Sequence, residues 1–478
     1  MLFLLSVGHA HHYFIPFLPK KGEILHNNYR FFHLIGNNFY RLKLLHIQIE
    51  FIMSGIGLFP SQYTLWQKIE FCIVAALAFS IPITWRLSVL LLVAWLVSAV
   101  CRTVAGGKSA VGRGTGKCRW FFLLFSGLYV MYCVSMFYTQ NLAEGWSVLE
   151  KMLSLIVVPL MFFLLDMSYL DRKAVRLILY SFTISVFAVA CADMVSAGID
   201  VVFGHAPMSR FFSSSLSSEH HTYISMYACV GIIFCLDELI ERRKQFPNWA
   251  KATLLVFLAV FTVFTVLLES RAGVLCMAAV YLFMFLWMVF GKHMYRTGMV
   301  IGIASALGIA ILLLTMPRVT DRFRATAESV FSEQKTEDVR ITILRSTMQV
   351  AADNWTTGVG AGDKIDAYME QYRKDGNTVS LERKYNSHNQ FVDTLTSTGI
   401  VGLLLLLSFF VVPLALAIRH RQFDSTFAMF LFMFFFNALF ESVLGLQAGV
   451  LFFAFLFFLL FYDSFVHDNS QEPTSKDN

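Results

Sequence analysis

Charge is what this sequence has least of. Only 15% of its 478 residues are Asp, Glu, Lys or Arg, against about 25% in soluble domains. Hydrophobic residues make up 57%, and phenylalanine alone appears 49 times. That balance excludes a soluble globular enzyme and predicts an all-α integral membrane protein, because a helix satisfies its own backbone inside lipid. Strand alternation of useful length is missing, and so is any internal repeat. The eight cysteines (Cys72, Cys101, Cys118, Cys133, Cys191, Cys229, Cys235 and Cys276) all lie in or beside apolar runs. That argues for buried small side chains and against a disulfide or metal framework. The first 18 residues lack a basic n-region and a small-residue cleavage site, so they do not read as a signal peptide. The net charge of +6 sits in short loops, where topology explains it better than nucleic acid does.

What is there is a series of apolar runs of membrane-spanning length. They lie at 66–84, 87–103, 119–138, 148–166, 173–195, 219–237, 251–269, 272–291, 296–316, 396–418, 425–443 and 446–465, about twelve transmembrane helices. Residues 1–65 are an N-terminal extension that fits poorly with the rest, and Met53 is a candidate true start. Helices one to nine occupy 66–316, a large polar loop 317–395, helices ten to twelve 396–465, and a polar tail 466–478. One set of short loops holds Arg102, Lys108, Arg113, Arg172, Arg176, Arg242, Arg243, Lys292, Arg419 and Arg421. The opposite set holds only Arg86, Lys151, Arg210 and Arg271. The positive-inside bias therefore puts the first set, the tail and both termini in the cytoplasm, and the large loop outside.

Inside that loop, Ile341, Leu344, Met348 and Ala351 recur at helical spacing and predict an amphipathic helix over Val339–Trp355. Thr356–Asp363 breaks it, a second short helix follows from Asp363 to about Arg373, and Lys374–Asn377 turns. Gly358, Gly360 and Gly362 do not make a dinucleotide site, since no strand precedes them. They make a tight turn whose backbone N–H groups are candidates for an anion.

Four constellations carry candidate chemistry. Glu269-Ser270-Arg271-Ala272-Gly273 is a tight turn at the outer face. A lone outer arginine opposes the charge bias, and its forked donors suit a phosphate. Arg210 in the 196–218 loop is a second candidate of the same kind. His220 and His221 open a helix with Tyr223, where interfacial anchoring competes with function; an adjacent pair cannot share one helical face, which weighs against a metal site. Last, His388, flanked by Asn386 and Asn389, sits where the large loop re-enters the membrane. Imidazole is the natural proton acceptor at neutral pH.

Ser270-Arg271-Ala272-Gly273, Gly358-Val359-Gly360-Ala361-Gly362, His388-Asn389-Gln390-Phe391 and Gly399-Ile400-Val401-Gly402, in this order around one large outer loop, resemble the O-antigen ligase and O-antigen polymerase superfamily. The resemblance spans roughly residues 66–465. His221-Thr222-Tyr223 looks like the family's outer helix start, where His-Pro-Thr-Tyr is common; here His220-His221 departs from it. The resemblance implies a glycosyltransferase of the bacterial inner membrane, with its active site on the periplasmic face. The donor would be a glycan on undecaprenyl pyrophosphate. The acceptor would be a sugar of lipid A-core for a ligase, another lipid-linked repeat unit for a polymerase, or a protein. It further implies that Arg271 and Arg210 hold the pyrophosphate and that His388 acts on the acceptor hydroxyl. His221, Tyr223, Asn386, Asn389, Gly358 and Gly360 would support them, without nucleotide, metal or other cofactor. Ligation to lipid A-core in lipopolysaccharide synthesis is the reading preferred here. A transporter or flippase is the competing class, and it fits less well because the spans hold few ionisable groups.

Overall fold

The computed structural model describes residues 63–106, 118–207, 210, 216–217, 220–296, 298–299, 302–303, 339–421 and 423–465. The chain divides into two compact units, residues 1–68 and 69–478. Of the first, the described part is the entry to one helix, where Thr64 and Gln67 cap each other. The Thr64 N–H donates to Gln67 Oε1 at 2.9 Å and the Gln67 N–H to Thr64 Oγ1 at 3.3 Å. The expected extension, the span at 296–316, the loop's 317–338 part and the tail lie wholly or largely outside the described residues.

The described residues are helical, with no strand among them. In order, α1 is Leu65–Ser80, α2 Trp85–Gly106, α3 Arg119–Ser135, α4 Leu142–Met152, α5 Ser154–Leu164, α6 Arg172–Val202, α7 His221–Glu241, α8 Asn248–Leu267 and α9 Arg271–Leu286. Then come α10 Val339–Asp353, α11 Lys364–Lys374, α12 Thr378–Arg383, α13 Gln390–His420, α14 Ser425–Ala438 and α15 Gln447–Phe465. Seven helices among the described residues are long and apolar enough to cross a membrane, eight if the bent pair α4–α5 counts as one span. α3 and α14 are apolar but shorter. The chain is thus a multi-pass membrane protein, with a described span count below the expected twelve. The run expected at 148–166 is instead α4 and α5, bent by 40° at Leu153.

Two helices form the centre. In α7 and α15, 89% of the apolar window is buried by protein, as a helix apolar on all sides requires. The phenylalanines of α15 interlock with their neighbours. Phe457 packs edge-on against Phe125 at 5.0 Å and Phe409 at 4.9 Å, and Phe453 stacks on Phe434 at 4.0 Å. Lipid tails are as apolar as phenylalanine, so these rings stabilise by close packing rather than by escape from water. Each pair contributes about 0.5–1.5 kcal/mol. Outward-facing Leu90, Val256, Leu282, Val411 and Ile418 are exposed, as a lipid-facing surface demands.

Helix direction alternates, so the N-termini of α7, α9, α13 and α15 share one end of the bundle. The other end is tied by buried charge. Arg102 Nε donates to Glu70 Oε1 at 2.7 Å and its Nη2 to the Asp166 carbonyl, joining α1, α2 and the end of α5. At that same far end Arg176 pairs with buried Glu238 at 2.9 Å, and on the exposed rim Lys292 pairs with Glu241 at 2.8 Å.

Three short helices, α10 to α12, form a small cap with Ile343, Val350, Tyr368 and Tyr372 as its core. The first two fall close to where the sequence predicts them. α12 was not expected; Asn377 starts it by accepting from the Ser380 N–H at 3.1 Å.

Candidate active site

His388 has a backbone that few side chains adopt, with φ at 48°. Asn386 holds it there, its Oδ1 accepting from the His388 N–H at 3.1 Å. Asn389 then caps α13, accepting from the N–H groups of Phe391 and Val392 at 3.0 Å each, while its Nδ2 donates to the Leu439 carbonyl at 3.1 Å. Both amides therefore fix the backbone turn. The cap also explains why α13 begins six residues before the expected span at 396. The membrane stretch restarts at Gly399, where φ 67° and ψ −166° break the helix.

The imidazole is oriented by a residue that the sequence did not flag. Nδ1 of His388 lies 3.1 Å from Oε1 of Glu441, a residue with only 8% exposure in the link after α14. Burial pushes the Glu441 carboxyl up. The hydrogen bond and charge of His388, with the charges of Arg340 and His220, more than offset this and hold it below the usual carboxylate range. In the neutral ring, a carboxylate that only accepts favours the tautomer with its proton on Nδ1, which leaves Nε2 its lone pair. Strain held at such a turn is common where side chains must be aimed. The ring of Tyr385 flanks His388 at 5.7 Å.

The α7 start closes this side. His220 and His221 stack at 4.6 Å, and His220 meets Tyr223 at 5.6 Å. Tyr223 is buried, and its hydroxyl donates to the Val443 carbonyl at 3.1 Å, bracing the segment that carries Glu441. Gln390 braces it too, with Oε1 accepting from the Leu444 N–H at 2.7 Å.

Arg271 opens α9, whose Ser270 cap accepts from the Gly273 N–H at 3.1 Å. Glu269, just before, is left-handed at φ 50°, which makes the predicted tight turn. A Cβ on Gly273 would come within 2.6 Å of Ser225 Oγ, so the first turns of α9 and α7 meet face to face. One turn further along, Asn437 of α14 donates to Cys276 Sγ at 2.9 Å. Arg271 lies five residues before Cys276 and Glu441 four after Asn437, so both sit just past this contact at the same end. Arg210 receives a partner on α6 instead: its Nε lies 3.1 Å from Asp200 Oδ2. The structure thus gathers His388, Asn386, Asn389, His221, Tyr223 and Arg271 at one end, and seats Arg210 against α6.

The glycine loop is a latch rather than an anion cradle. The Val359 N–H donates to the Thr396 carbonyl at 2.7 Å, Gly360 to Ser397 at 3.2 Å, Ala361 to Ser135 Oγ at 3.1 Å and Gly362 to Thr139 Oγ1 at 3.5 Å. With these N–H groups engaged inside the chain, the anion reading of the turn fails. A side chain on Gly358 or Gly399 would strike the facing backbone, so both glycines let the turn seat against the α13 break.

Behind His388 lies a second polar cluster. Asp393, buried, accepts from Lys364 Nζ at 2.9 Å, the Tyr368 hydroxyl at 3.1 Å and Ser387 Oγ at 2.6 Å. Burial alone would lower the Lys364 ammonium; the Asp393 charge more than offsets it and leaves it above its ordinary value, so the pair is ionic. A cavity of about 190 Å³ opens beside it, walled by Glu144, Lys151, Lys364, Asn386, Asp393 and Gly445.

Glu441, Asp393, Lys364 and Arg340 are what sequence reading missed. For Glu441 the signal was present: a lone carboxylate in the last turn of an expected span is a functional flag in itself. Asp393 carried a weaker one, three residues before an apolar run.

The comparison with family models gives a match over residues 254–407 to the family described as O-antigen ligase. The stretch runs from α8 into α13 and takes in Arg271, Gly358, Gly360, Asn386, His388 and Asn389, while Arg210, His221, Tyr223 and Glu441 lie outside it. The resemblance read from the motifs therefore holds over this part of the chain. A search of curated proteins finds no match.

Proposed function

We propose that this chain moves a glycan from undecaprenyl pyrophosphate to a sugar hydroxyl, with His388 as general base and Glu441 as the group that orients it. The observation that carries the reading is the 3.1 Å contact between these two side chains, at the end of the bundle where Arg271 stands. The family match supplies the reaction class, glycan transfer. The lipid donor and the acceptor are inferred.

In the proposed step the acceptor oxygen attacks the anomeric carbon as its proton passes to His388 Nε2. The bond from that carbon to the pyrophosphate oxygen breaks, and undecaprenyl pyrophosphate leaves. A single displacement of this kind inverts the anomeric carbon. The leaving group is already activated, so neither nucleotide nor metal enters the scheme. Arg271 would meet the charge that grows on the leaving oxygen, aided by the N-terminal dipoles of α7, α9 and α13. Arg210 is proposed as the second pyrophosphate contact, which requires it to exchange Asp200 for the donor. Proton removal by a placed imidazole contributes about 10²–10⁴-fold. The cavity beside Asn386 suits the acceptor. It is smaller than the ~300–1,000 Å³ of drug-sized clefts, and it offers donors and acceptors to a single sugar ring.

This end of the bundle would face the periplasm of the bacterial inner membrane. Arg102, Arg172, Arg176, Arg242, Lys292 and Arg419 all fall at the other end, which supports that orientation. Residues 317–395 would then be a periplasmic loop and both termini cytoplasmic.

Deleting the gene in its host, with complementation by wild type and His388→Ala, tests the proposal. Ligation to lipid A-core predicts uncapped core with persisting long lipid-linked glycan. Core bearing one repeat unit would make the chain a polymerase. A glycolipid pattern indifferent to the deletion and to His388 would reject both.

A further inference from the structure

The end of the bundle remote from His388 holds a second cavity with no part in the transfer just described. It measures about 260 Å³ and is walled by Arg172 and Arg176 of α6, Asp237 of α7, Asp424 at the start of α14 and Asp463 of α15. Five ionisable side chains from four helices converge there. Ionisable groups that face the interior of a membrane bundle are costly unless paired, and by default they flag a functional site. Phe423 and Asp424 also wall a neighbouring groove of about 350 Å³, otherwise lined by Phe283, Pro413, Ala417, Phe432 and other apolar residues of α9, α13, α14 and the end of α15. A charged chamber and an apolar groove thus share one rim. Trp287 packs against Phe423 at 4.7 Å, and Lys292 lies over the Trp287 ring at 5.8 Å, setting a cationic and aromatic border where headgroups would lie.

We propose that this pair of cavities binds one phospholipid with a primary-amine headgroup, the headgroup in the charged chamber and an acyl chain in the groove. The shared rim dictates an amphiphile, since neither a free anion nor a bare hydrocarbon would use both spaces. The two arginines, one turn apart on α6, suit a phosphate, with Arg176 keeping its 2.9 Å pair with Glu238 through Nε. Asp424, whose Oδ1 also caps α14 by accepting from the Phe427 N–H at 2.8 Å, and Asp463 face the same chamber and suit an ammonium. Two cations and three carboxylates disfavour a purely anionic headgroup, which selects a zwitterion. Four helices meet at the chamber, so a bound lipid would tie α6 and α7 to α14 and α15 at the far end.

The test is native mass spectrometry of the full-length protein, released from membranes in mild detergent and re-exposed to phosphatidylethanolamine or phosphatidylglycerol. Wild type is expected to keep one phosphatidylethanolamine and to prefer it over phosphatidylglycerol. Ala417→Trp fills the groove without touching the chamber and should abolish retention of either lipid while elution stays monodisperse. Asp463→Asn removes a chamber charge and should cut the preference about tenfold, the scale of one charge-assisted hydrogen bond. Equal binding of the two lipids by wild type, or a preference for phosphatidylglycerol, overturns the headgroup assignment. Retention unchanged in a monodisperse Ala417→Trp protein overturns the groove. Should Ala417→Trp fail to fold, an undiminished preference in Asp463→Asn still rejects the proposal.

Discussion

His388 Nδ1 and Glu441 Oε1 face each other at 3.1 Å although 53 positions separate the residues in the chain. The carboxylate fixes which ring nitrogen holds the proton, and so which one can take another. Glu441→Gln keeps the shape but donates where it should accept, favouring the wrong tautomer. By analogy with the aspartate of serine proteases, transfer should fall by about 10²–10⁴-fold. Glu441→Gln combined with His388→Ala should be no worse than His388→Ala alone, because the two act as a unit. Initial rates with purified donor and acceptor decide this, and multiplying defects in the double variant would show that Glu441 acts apart from His388.

The same pair sets a pH limit on stability. The folded Glu441 carboxyl titrates below its ordinary value of 4.5. A group depressed on folding contributes stability above its unfolded value, and that contribution is lost as pH falls through the folded one. Wild type should therefore melt above Glu441→Gln at neutral pH, with the gap shrinking below about pH 4.5. Melting curves of both proteins from pH 7 to pH 3 measure it. A gap that widens in acid would contradict the assigned direction.

Much of the helical layout was legible in the sequence, because apolar runs near 20 residues leave few alternatives in lipid. His388 and Arg271 were legible for the opposite reason: each is an isolated polar group at an apolar boundary. Glu441 and Asp393 were hidden by the same rule applied bluntly. One was absorbed into an expected span at 425–443 and the other fell just short of the span at 396. Their roles depend on contacts across long separations, 53 positions for His388 with Glu441 and 29 for Lys364 with Asp393. No local pattern encodes such pairings. The glycine run was visible, yet only its partners on α3 and α13 show that its N–H groups are already used.

Arg271 should tolerate no replacement. Arg271→Ala removes the charge and Arg271→Lys the fork, so the lysine variant should also be poor, each with normal insertion. Loss of a charge-assisted contact of about 1.5–3 kcal/mol corresponds to about 10–10²-fold in kcat/KM. Steady-state kinetics against donor concentration measure this, and wild-type kinetics in Arg271→Lys would remove the bidentate role.

The latch between the glycine loop and the α13 break can be tested with a built-in control. Gly399 at φ 67° abuts Thr356, whereas Gly376 at φ 69° has nothing within 4 Å of where a Cβ would stand. Alanine at Gly376 should cost only the left-handed backbone, about 1–2 kcal/mol. Alanine at Gly399 adds a collision and a ψ of −166° that only glycine adopts readily, and should release Thr356–Gly362, exposing it to protease. Equal melting temperatures for the two variants would mean that the latch carries no load.

The Lys364–Asp393 pair supports the turn of His388 from behind, through Ser387. Asp393 is almost wholly buried, so removing its cation leaves a carboxylate with only hydroxyl donors around it. Lys364→Met should therefore cost about 3–5 kcal/mol. Neutralising the survivor in Lys364→Met/Asp393→Asn should return most of that loss, because the amide oxygen still accepts from Tyr368 and Ser387. If the pair serves only stability, the double variant regains activity along with its melting temperature. If Lys364 also touches the acceptor in the adjoining cavity, melting recovers while the KM for acceptor stays high. Stability and acceptor kinetics measured together on the two proteins separate these roles, and a double variant no more stable than Lys364→Met would show that the charge pairing is not what holds the turn.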